Sequence, residues 1–329
     1  MKRGLIGACG DIKGSTKFVT TVVVLAALAT VVIASASASF RGEQGKIAFD
    51  MWAGTSQDIG VINADGTGRT NLTNTSLVNE QTPRWSRDGK KIVYMRRLEP
   101  FADPPPPYDI WVMDADGSNH VQLTNTPLGE FVPAWTADGR IVFCGNSGDA
   151  GGAEIYLMNA DGSGRVRLTN SPGLDCWPAP APIGNKVSFT SERNGYTQIF
   201  TMKLDGRNVR QVTTGAVYNW ASDWSPSGND IVFVRENIND INDTDIWMAH
   251  SDGTGVRQLT FDGADRPEAF PTWSPDGGKV VFGGIVAPGV FNVFSVDPLT
   301  GDEQTLIADD PSNDYWSVAY PSWQAVDKP

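Results

Sequence analysis

Several acidic residues recur at one position of a repeated sequence pattern, three residues before the proline that opens a predicted β-strand. These acids are Glu80, Glu130, Asp175 and Glu268. We assign the same position in two further copies of the pattern to Tyr218 and Val318. Carboxylates that converge in a folded protein can coordinate a divalent cation, attract a basic peptide or act as the acid and base of a glycosidase. The four acids and Tyr218 are therefore the candidate ligand-binding residues.

The same acids also have a structural interpretation. Short acidic side chains near turns accept hydrogen bonds from neighbouring backbone N–H groups and thereby fix a loop. The Asp-Ala-Asp-Gly turn at 114–117 lacks the distal glutamate that a calcium loop requires, which favours hairpin turns over calcium sites there. We predict no cofactor, and a divalent cation such as calcium is the one ion that the recurring acids could accept.

Other catalytic groups are scarce. The chain has two histidines, His120 and His250, and it contains no G-x-S-x-G elbow. The repeat pattern places these histidines in units two and five, on opposite sides of a six-membered ring, so they cannot share a metal or a substrate. The sequence therefore predicts no catalytic residues and no histidine metal site.

Three recurring phrases define the elements that must position the acids. The first is a short apolar strand: KIAF (46–49), KIVY (91–94), RIVF (140–143), KVSF (186–189), DIVF (230–233) and KVVF (279–282). The second is a strand that ends in an Asp-Gly turn, as in DIWVMDADG, and the third is a Leu-Thr pair. The turn aspartates are spaced 51, 45, 44, 47 and 45 residues apart, which is the period of four-stranded propeller blades.

A fourth phrase, such as PRWSRDGK (83–90), precedes the apolar strand in four units and in worn form at 178–185. The first unit lacks it, and an orphan copy, PSW, stands at 321–323. Each of the six units then has its own copy of the fourth phrase only if the C-terminal copy supplies the missing strand of the first sheet. The sequence therefore predicts an all-β, six-bladed β-propeller of four-stranded antiparallel blades over 45–325, closed by that strand.

Strands a, b, c and d of each blade assign the loops to two faces. The a–b and c–d connections are tight turns, whereas the b–c and d–a connections are long, as at 95–109 and 234–245. We expect the segment 237–245 to be a flexible polar loop. Since function concentrates on loops held by a rigid scaffold, we place the working surface on the long-loop face. Strand a is innermost in a propeller, so the recurring acids are expected near the mouth of the central channel.

Two cysteines are expected at the long-loop face of adjacent blades. Cys144 ends strand b of the third blade, and Cys176 is expected in the d–a loop leading into the fourth. They either form a disulfide or remain as two buried thiols, because spacing alone does not fix the distance between their Cα atoms.

The N-terminus has the pattern of an export signal. Basic residues precede the apolar run at 18–34, and small-x-small sites place cleavage after Ala36 or Ala38. We predict a signal peptide at 1–38, with an uncleaved anchor as the alternative, then a linker at 39–44 and a tail at 326–329. Without residues 1–38 the chain carries a net charge of −15 and no predicted membrane span. This charge disfavours nucleic acids and anionic lipids as partners.

The combination of W-S-P-D-G-K, DIYVMDADG-like and Leu-Thr phrases resembles the WD40-like repeats of TolB-type propellers, from Gly45 to Trp323. The resemblance implies a six-bladed propeller in the bacterial envelope. TolB also carries an N-terminal α/β domain, whereas the repeats here begin within about ten residues of the predicted cleavage site, so functions resting on that domain are not implied.

We therefore expect an exported, non-enzymatic protein that is periplasmic, envelope-bound or secreted, and monomeric. Its long-loop face would bind a protein or peptide of the envelope or the extracellular space, with a basic segment favoured by the acids. The alternative is a carbohydrate-active or metal-dependent enzyme that uses the carboxylates at the channel mouth.

Overall fold

The computed structural model describes residues 43–53, 56–98, 102, 106–148, 152–287, 290–308 and 318–326. These residues form six sheets of four antiparallel strands, arranged as blades around a ring. Blade 1 contains β24 (Val318–Val326), β1 (Glu43–Ala53), β2 (Ser56–Ile62) and β3 (Thr70–Asn71). Blade 2 contains β4 (Val78–Trp85), β5 (Lys91–Leu98), β6 (Asp109–Asp114) and β7 (Val121–Gln122). Blade 3 contains β8 (Glu130–Trp135), β9 (Ile141–Asn146), β10 (Ala153–Met158) and β11 (Val166–Arg167).

The remaining blades repeat this order, and within each blade the strands a, b, c and d run from the ring axis outward. Blade 4 contains β12 (Asp175–Pro180), β13 (Lys186–Ser191), β14 (Gln198–Lys203) and β15 (Arg210–Gln211). Blade 5 contains β16 (Tyr218–Trp224), β17 (Asp230–Asn237), β18 (Asp240–His250) and β19 (Arg257–Gln258). Blade 6 contains β20 (Glu268–Trp273), β21 (Val280–Ala287), β22 (Val290–Val296) and β23 (Glu303–Ile307). A short 3₁₀ helix, Gly263–Asp265, lies between blades 5 and 6.

The predicted ring closure is confirmed. Strand β24 pairs antiparallel with β1, with Trp323 opposite Ile47 and Ser322 opposite Ala48. The orphan PSW phrase is thus strand a of the first blade, and the inner edge of that sheet is paired. Neighbouring a strands contact one another around the ring, which makes strand a the innermost strand of each blade.

The recurring Asp-Gly and Leu-Thr phrases meet across the blade boundaries. Gly117 has a φ of 85°, and a Cβ built on it would lie 2.8 Å from the carbonyl oxygen of Leu72 in the preceding blade. The same close approach recurs at Gly66–Leu306, Gly162–Leu123, Gly206–Leu168 and Gly253–Val212. A side chain at these turns would push adjacent blades apart, so the two phrases recur because each turn packs on the preceding blade.

Strand a carries a bulge at the same place in five blades. Its register against strand b shifts there, and a non-glycine residue adopts a left-handed conformation. These residues are Thr82, Val132, Trp177, Ala221 and Phe270, with φ between 50° and 60°. The bulge is a structural landmark that aligns the blades independently of the sequence phrases.

The segment 237–245 is not the flexible loop that we expected. Strand β17 continues to Asn237 and β18 begins at Asp240, so the segment forms the tip and one arm of a long hairpin. Backbone pairing between the two arms extends the blade beyond the ring, and the hairpin of blade 6 (β21 and β22) does the same.

The predicted signal peptide at 1–38 and most of the linker at 39–44 lie outside the described residues, as do residues 327–329 of the predicted tail. Among the residues that the structure describes, no helix has the length and hydrophobicity needed to cross a membrane.

Candidate functional site

The recurring acids are buried at the boundaries between blades. Glu80, Glu130, Asp175 and Glu268 each have 0% relative exposure. We expected these acids near the mouth of the central channel, and the structure shows that their side chains are closed off from solvent. The reason is that each acid belongs to strand a itself: three of these strands begin at the acid, and the preceding blade covers it.

Each buried carboxylate pairs with an arginine of the same blade or the adjoining loop. The nitrogen–oxygen distances are 3.3 Å for Arg96–Glu80, 2.7 Å for Arg165–Glu130, 2.7 Å for Arg193–Asp175 and 2.6 Å for Arg266–Glu268. A buried carboxylate is costly to ionise unless it is paired and hydrogen-bonded. The geometry thus gives the acids the structural role that the sequence left open.

The arginines were missed in the sequence because they come from different parts of the blade. Arg96 belongs to strand b, Arg165 to a c–d turn, Arg193 to a b–c loop and Arg266 to a d–a loop. Each guanidinium nevertheless lies over aromatic rings of strands b and c, as Arg266 does at 4.0 Å from the centroid of Phe294. An alignment of repeats has no single column for such a residue, although the aromatic rings beneath it do recur.

A second acid belongs to the same boundary, at the start of strand c of the preceding blade. Between blades 1 and 2, Thr75 bridges the two: its N–H donates to Asp58 Oδ1 at 3.1 Å, and its hydroxyl donates to Glu80 Oε2 at 2.9 Å. Thr126 and Ser171 make the same bridges at the next two boundaries. At these three boundaries, the residue two positions after the Leu-Thr pair therefore joins one blade to the next.

Burial raises the pKa of several of these carboxyl groups. The pKa of Asp109 rises to about 6, and that of Glu268 to about 8 despite hydrogen bonds from Thr260 and Arg266. The pKa values of Glu80 and Glu154 are also raised by burial, and a neighbouring acid adds to each shift. We therefore expect these boundaries to lose stability as the pH rises, because a raised pKa means that the folded state binds a proton that the unfolded state releases.

The assignment of Tyr218 to the recurring position is wrong by one residue. The bulge at Ala221 aligns Asn219 with the acids of the other blades, because Ser222 replaces the proline used as the reference point. Asn219 is fully buried and accepts a hydrogen bond from Arg235 Nε at 2.8 Å. Tyr218 is only partly buried, with its ring centroid 5.4 Å from that of Tyr196. The side chain of Val318 is outside the described part of the structure.

The described residues contain one group of three carboxylates close enough to share an ion, and an arginine lies among them. The carboxylate oxygens of Asp262, Glu268 and Glu303 lie within 4.8 Å of one another. Arg266 makes ion pairs with all three, so its guanidinium supplies the positive charge of the cluster. A divalent cation would have to displace this side chain to bind there.

The histidines lie in separate blades and make separate contacts. His120 Nδ1 is 2.7 Å from the hydroxyl of Tyr94 in blade 2, and His250 Nδ1 is 2.7 Å from Asp230 Oδ1 in blade 5. Their placement in blades 2 and 5 agrees with the interpretation of the repeats.

Cys144 and Cys176 form a disulfide, with their Cα atoms 5.1 Å apart. The bond joins strand β9 of blade 3 to strand β12 of blade 4, and both residues are fully buried. Of the two alternatives that the sequence left open, the structure contains the disulfide.

The innermost layer of the ring contains two buried ionisable side chains. Arg84 and Asp223 occupy the position before the strand-a tryptophan in blades 2 and 5, on opposite sides of the ring. The other blades have small residues there: Ala134, Ala179, Thr272 and Ser322. Burial raises the pKa of Asp223 to about 8, and the positive charge of Arg84 opposes that shift.

The two faces of the ring differ in their exposed side chains. Of the twelve exposed large apolar residues in the described part of the chain, six lie on the long-loop face: Leu77, Leu98, Leu128, Ile238, Phe261 and Val286. The other six lie in tight turns or at the start of strand d: Val121, Val166, Ile183, Val209, Val256 and Leu299. All lysines among the described residues lie at the tight-turn end of the blades, at positions 46, 90, 91, 186, 203 and 279. The lysines therefore distinguish the two faces, and Phe261, the one exposed aromatic side chain (Phe, Tyr or Trp) of the described residues, lies on the long-loop face.

Comparison with known proteins places these features in a family. An uncharacterised protein of Agrobacterium fabrum is 29% identical over 181 residues, which are 53% of this chain and 60% of that protein. The Tol-Pal system protein TolB of Anaeromyxobacter dehalogenans is 33% identical over 101 residues, which are 29% of this chain and 21% of TolB. The chain thus covers less than two thirds of either relative.

The fold agrees with a solved structure. TolB from Acinetobacter baumannii superposes with a TM-score of 0.72 and 21% identity, covering 85% of this chain and 67% of that one. The sequence model of the PD40 family, described as the TolB beta propeller domain, matches residues 53–308, which span most of the ring. The chain belongs to the PD40 family of TolB β-propeller domains.

Proposed function

We propose that this protein is an exported, non-catalytic scaffold that binds a protein or peptide partner through its long-loop face. The observation that carries the proposal is the set of exposed apolar side chains on that face, which includes Phe261 at 77% exposure. An exposed aromatic ring among further exposed apolar side chains, on long loops held by a rigid scaffold, is typical of an interaction surface. The similarity to a Tol-Pal system protein supports a protein partner.

Two observations support export. The sequence begins with the pattern of a signal peptide, and the structure contains a disulfide between Cys144 and Cys176. Structural disulfides persist in oxidising compartments such as the periplasm or the cell exterior. Denatured protein taken from the periplasmic fraction should resist thiol labelling until a reductant is added. Labelling of both cysteines without reductant would contradict export to such a compartment.

We propose that the protein is not an enzyme because of the burial and ion pairing of the recurring acids. The carboxylates that the alternative enzyme would use are buried, and each is paired with an arginine. We expect no turnover of a panel of polysaccharides, with or without added calcium or manganese. Turnover that disappears in a Glu80→Gln, Glu130→Gln, Glu268→Gln variant would contradict the proposal.

Site-specific cross-linking tests the binding face. A photoreactive amino acid placed at Leu77, Leu128 or Phe261 should give a covalent adduct with a partner protein in living cells. Matched probes at Ile183 and Leu299, which are exposed apolar positions in turns of the tight-turn face, should give none. Adducts from the two control positions alone would show that the partner binds the tight-turn face and would contradict the proposal. If no position gave an adduct, the result would contradict a role as a binding scaffold.

A further inference from the structure

We infer that the long-loop ends of blades 5 and 6 form the primary contact, and that they bind a cationic peptide segment carrying an apolar anchor side chain. This inference rests on the proposed function and specifies the chemistry of the partner. The surface, which we call the 5–6 ridge, consists of one d–a loop and the ends of two hairpins. Its residues are Ile238, Asp240, Asp243, Phe261, Asp262, Asp265 and Val286.

The centre of the ridge is an aromatic side chain on a fixed loop. Phe261 follows the Leu-Thr pair of blade 5 and, at 77%, is the most exposed aromatic side chain among the residues that the structure describes. The loop after it is held by a hydrogen bond from Gly263 N–H to Asp245 Oδ1 at 3.1 Å. Arg266 ties the end of the loop to Glu268 at 2.6 Å. Binding at Phe261 therefore requires little ordering of the loop, which favours affinity.

The two long hairpins flank this loop. On one side, a Cβ built on Gly263 would lie 2.9 Å from Asp243 Oδ1 of the blade 5 hairpin. On the other side, Ile285 N–H of the blade 6 hairpin donates to the carbonyl oxygen of Pro267 at 3.0 Å. Ile238 and Val286, near the two tips, are 41% and 43% exposed. The ridge thus offers three apolar side chains on adjoining elements.

The charge of the ridge is acidic. Asp240, Asp262 and Asp265 are exposed and Asp243 is half-buried, against one arginine, Arg266, whose side chain is only 13% exposed. All lysines of the described residues lie at the opposite end of the blades. An acidic surface around apolar side chains is complementary to lysine or arginine flanking an apolar residue. Such a segment would bring its own charges against the aspartates and its apolar side chain against Phe261.

Binding of labelled peptides to the full chain tests the inference. The probes are three decapeptides: one with lysines and two phenylalanines, one with the same lysines and glycines, and one with glutamates and two phenylalanines. Fluorescence anisotropy should show the lysine–phenylalanine peptide binding at least about tenfold more tightly than either of the others. Its affinity should fall as salt is raised, because exposed charges are screened.

Variants assign that binding to the ridge. Phe261→Ser and the pair Asp240→Asn, Asp265→Asn should each weaken the lysine–phenylalanine peptide at least about tenfold. The matched controls on the tight-turn face, Leu299→Ser and Asp302→Asn, should leave its affinity unchanged. Equal loss in the controls, equal affinity for the glutamate peptide, or occupation of the ridge by a second copy in sedimentation would each overturn the inference.

The inference and the proposed function fail in different ways. If cross-linking at Leu77 and Leu128 captures a partner while probes at Phe261 and Ile238 do not, the long-loop face binds a partner elsewhere and the 5–6 ridge is not the contact. If no long-loop position captures a partner, the proposed function is wrong, whether or not the labelled peptides bind.

Discussion

The boundary between blades 4 and 5 and the boundary between blades 5 and 6 use the same geometry with different chemistry. The first joins two amides: Asn219 Nδ2 donates to Gln198 Oε1 at 2.9 Å. The second has carboxylates at the corresponding positions, Asp245 and Glu268, together with Arg266. The comparison shows that the ring requires a buried, hydrogen-bonded link at this place, and that the link need not be charged.

The difference has an energetic consequence. A neutral amide pair satisfies its hydrogen bonds without the desolvation cost of two buried charges. The carboxylate boundary needs a counter-charge, and Arg266 provides it while lying over Phe294. At the amide boundary Arg235 lies over Trp247 at 4.1 Å, and burial lowers the pKa of its guanidinium. The carboxylate boundary should therefore be the more sensitive to substitution and to pH.

The largest effect is expected from removing the counter-charge. Arg266→Met should destabilise the protein by about 3–5 kcal/mol at pH 9, because it leaves Glu268 and two further carboxylates clustered without a cation. Arg235→Met at the amide boundary should cost about 1–2 kcal/mol. Denaturant unfolding of both variants at pH 9 measures the difference. Equal losses would show that charge at the boundary is irrelevant.

Removal of the disulfide between blades 3 and 4 should cause the next largest loss of stability. The disulfide between blades 3 and 4 spans a sequence separation of 32 residues, and a cross-link over such a loop contributes about 3–4 kcal/mol in the chain-entropy description. The Cys144→Ala, Cys176→Ala double variant should lose about that much in denaturant unfolding. A matched measurement on the wild-type chain under reducing conditions should give the same loss, and a loss confined to the variant would point to packing.

Stability should decrease as the pH rises. The folded-state pKa of Glu268 is about 8, above its ordinary value of 4.5, so the folded protein binds a proton that the unfolded chain releases between these values. The associated stability is complete below about pH 4.5 and is lost as the pH rises through 8. We expect Tm to fall between pH 5 and pH 9, by several degrees for a loss of about 2 kcal/mol.

Glu268→Gln should reduce this dependence on pH, because the amide cannot titrate. Asp302→Asn, at an exposed turn position, is the matched control and should leave the slope unchanged. Asp109 and Asp223, whose pKa values are also raised, contribute in the same direction, so some slope should remain in the variant. A slope in Glu268→Gln equal to that of the wild-type chain would contradict the assignment.

The smallest effect should come from converting the amide boundary to a charged one. Gln198→Glu places a carboxylate beside Thr213 and Asn219, within reach of the charge of Arg235. We expect a cost of about 1 kcal/mol or less near pH 7, with a new loss of stability as the pH rises. Thermal unfolding at pH 5, 7 and 9 measures both, and a cost independent of pH would show that the new acid does not titrate in this range.

The sequence predicted the fold because its signals are repeated and local. The orphan PSW phrase around Trp323 predicts that the C-terminal strand joins the first blade and closes the ring. The pairing of β24 with β1 confirms that prediction. The position of the acids was also readable from their spacing to a proline. It failed by one residue at Tyr218, where serine replaces that proline and the bulge at Ala221 marks the true register.

The environment of the acids could not be predicted in the same way. Burial of Glu80 depends on how the preceding blade packs, and its partner Arg96 has a counterpart at the same strand-b position in blade 5 alone, Arg235. Blades 3, 4 and 6 supply their arginines from other stretches of chain, so the arginines leave only a weak periodic signal. The recurring aromatic pairs on strands b and c, such as Phe143 and Tyr156 beneath Arg165, were the clearer trace of this site.

The order of the strands constrains how the protein is made. The innermost strand of blade 1 is β24, the last of the strands described, so β1 has an open edge until β24 has been synthesised. During that interval the first blade is the part most prone to pair with another polypeptide. Premature termination before Trp323 should therefore yield aggregation and proteolysis in place of a smaller stable ring.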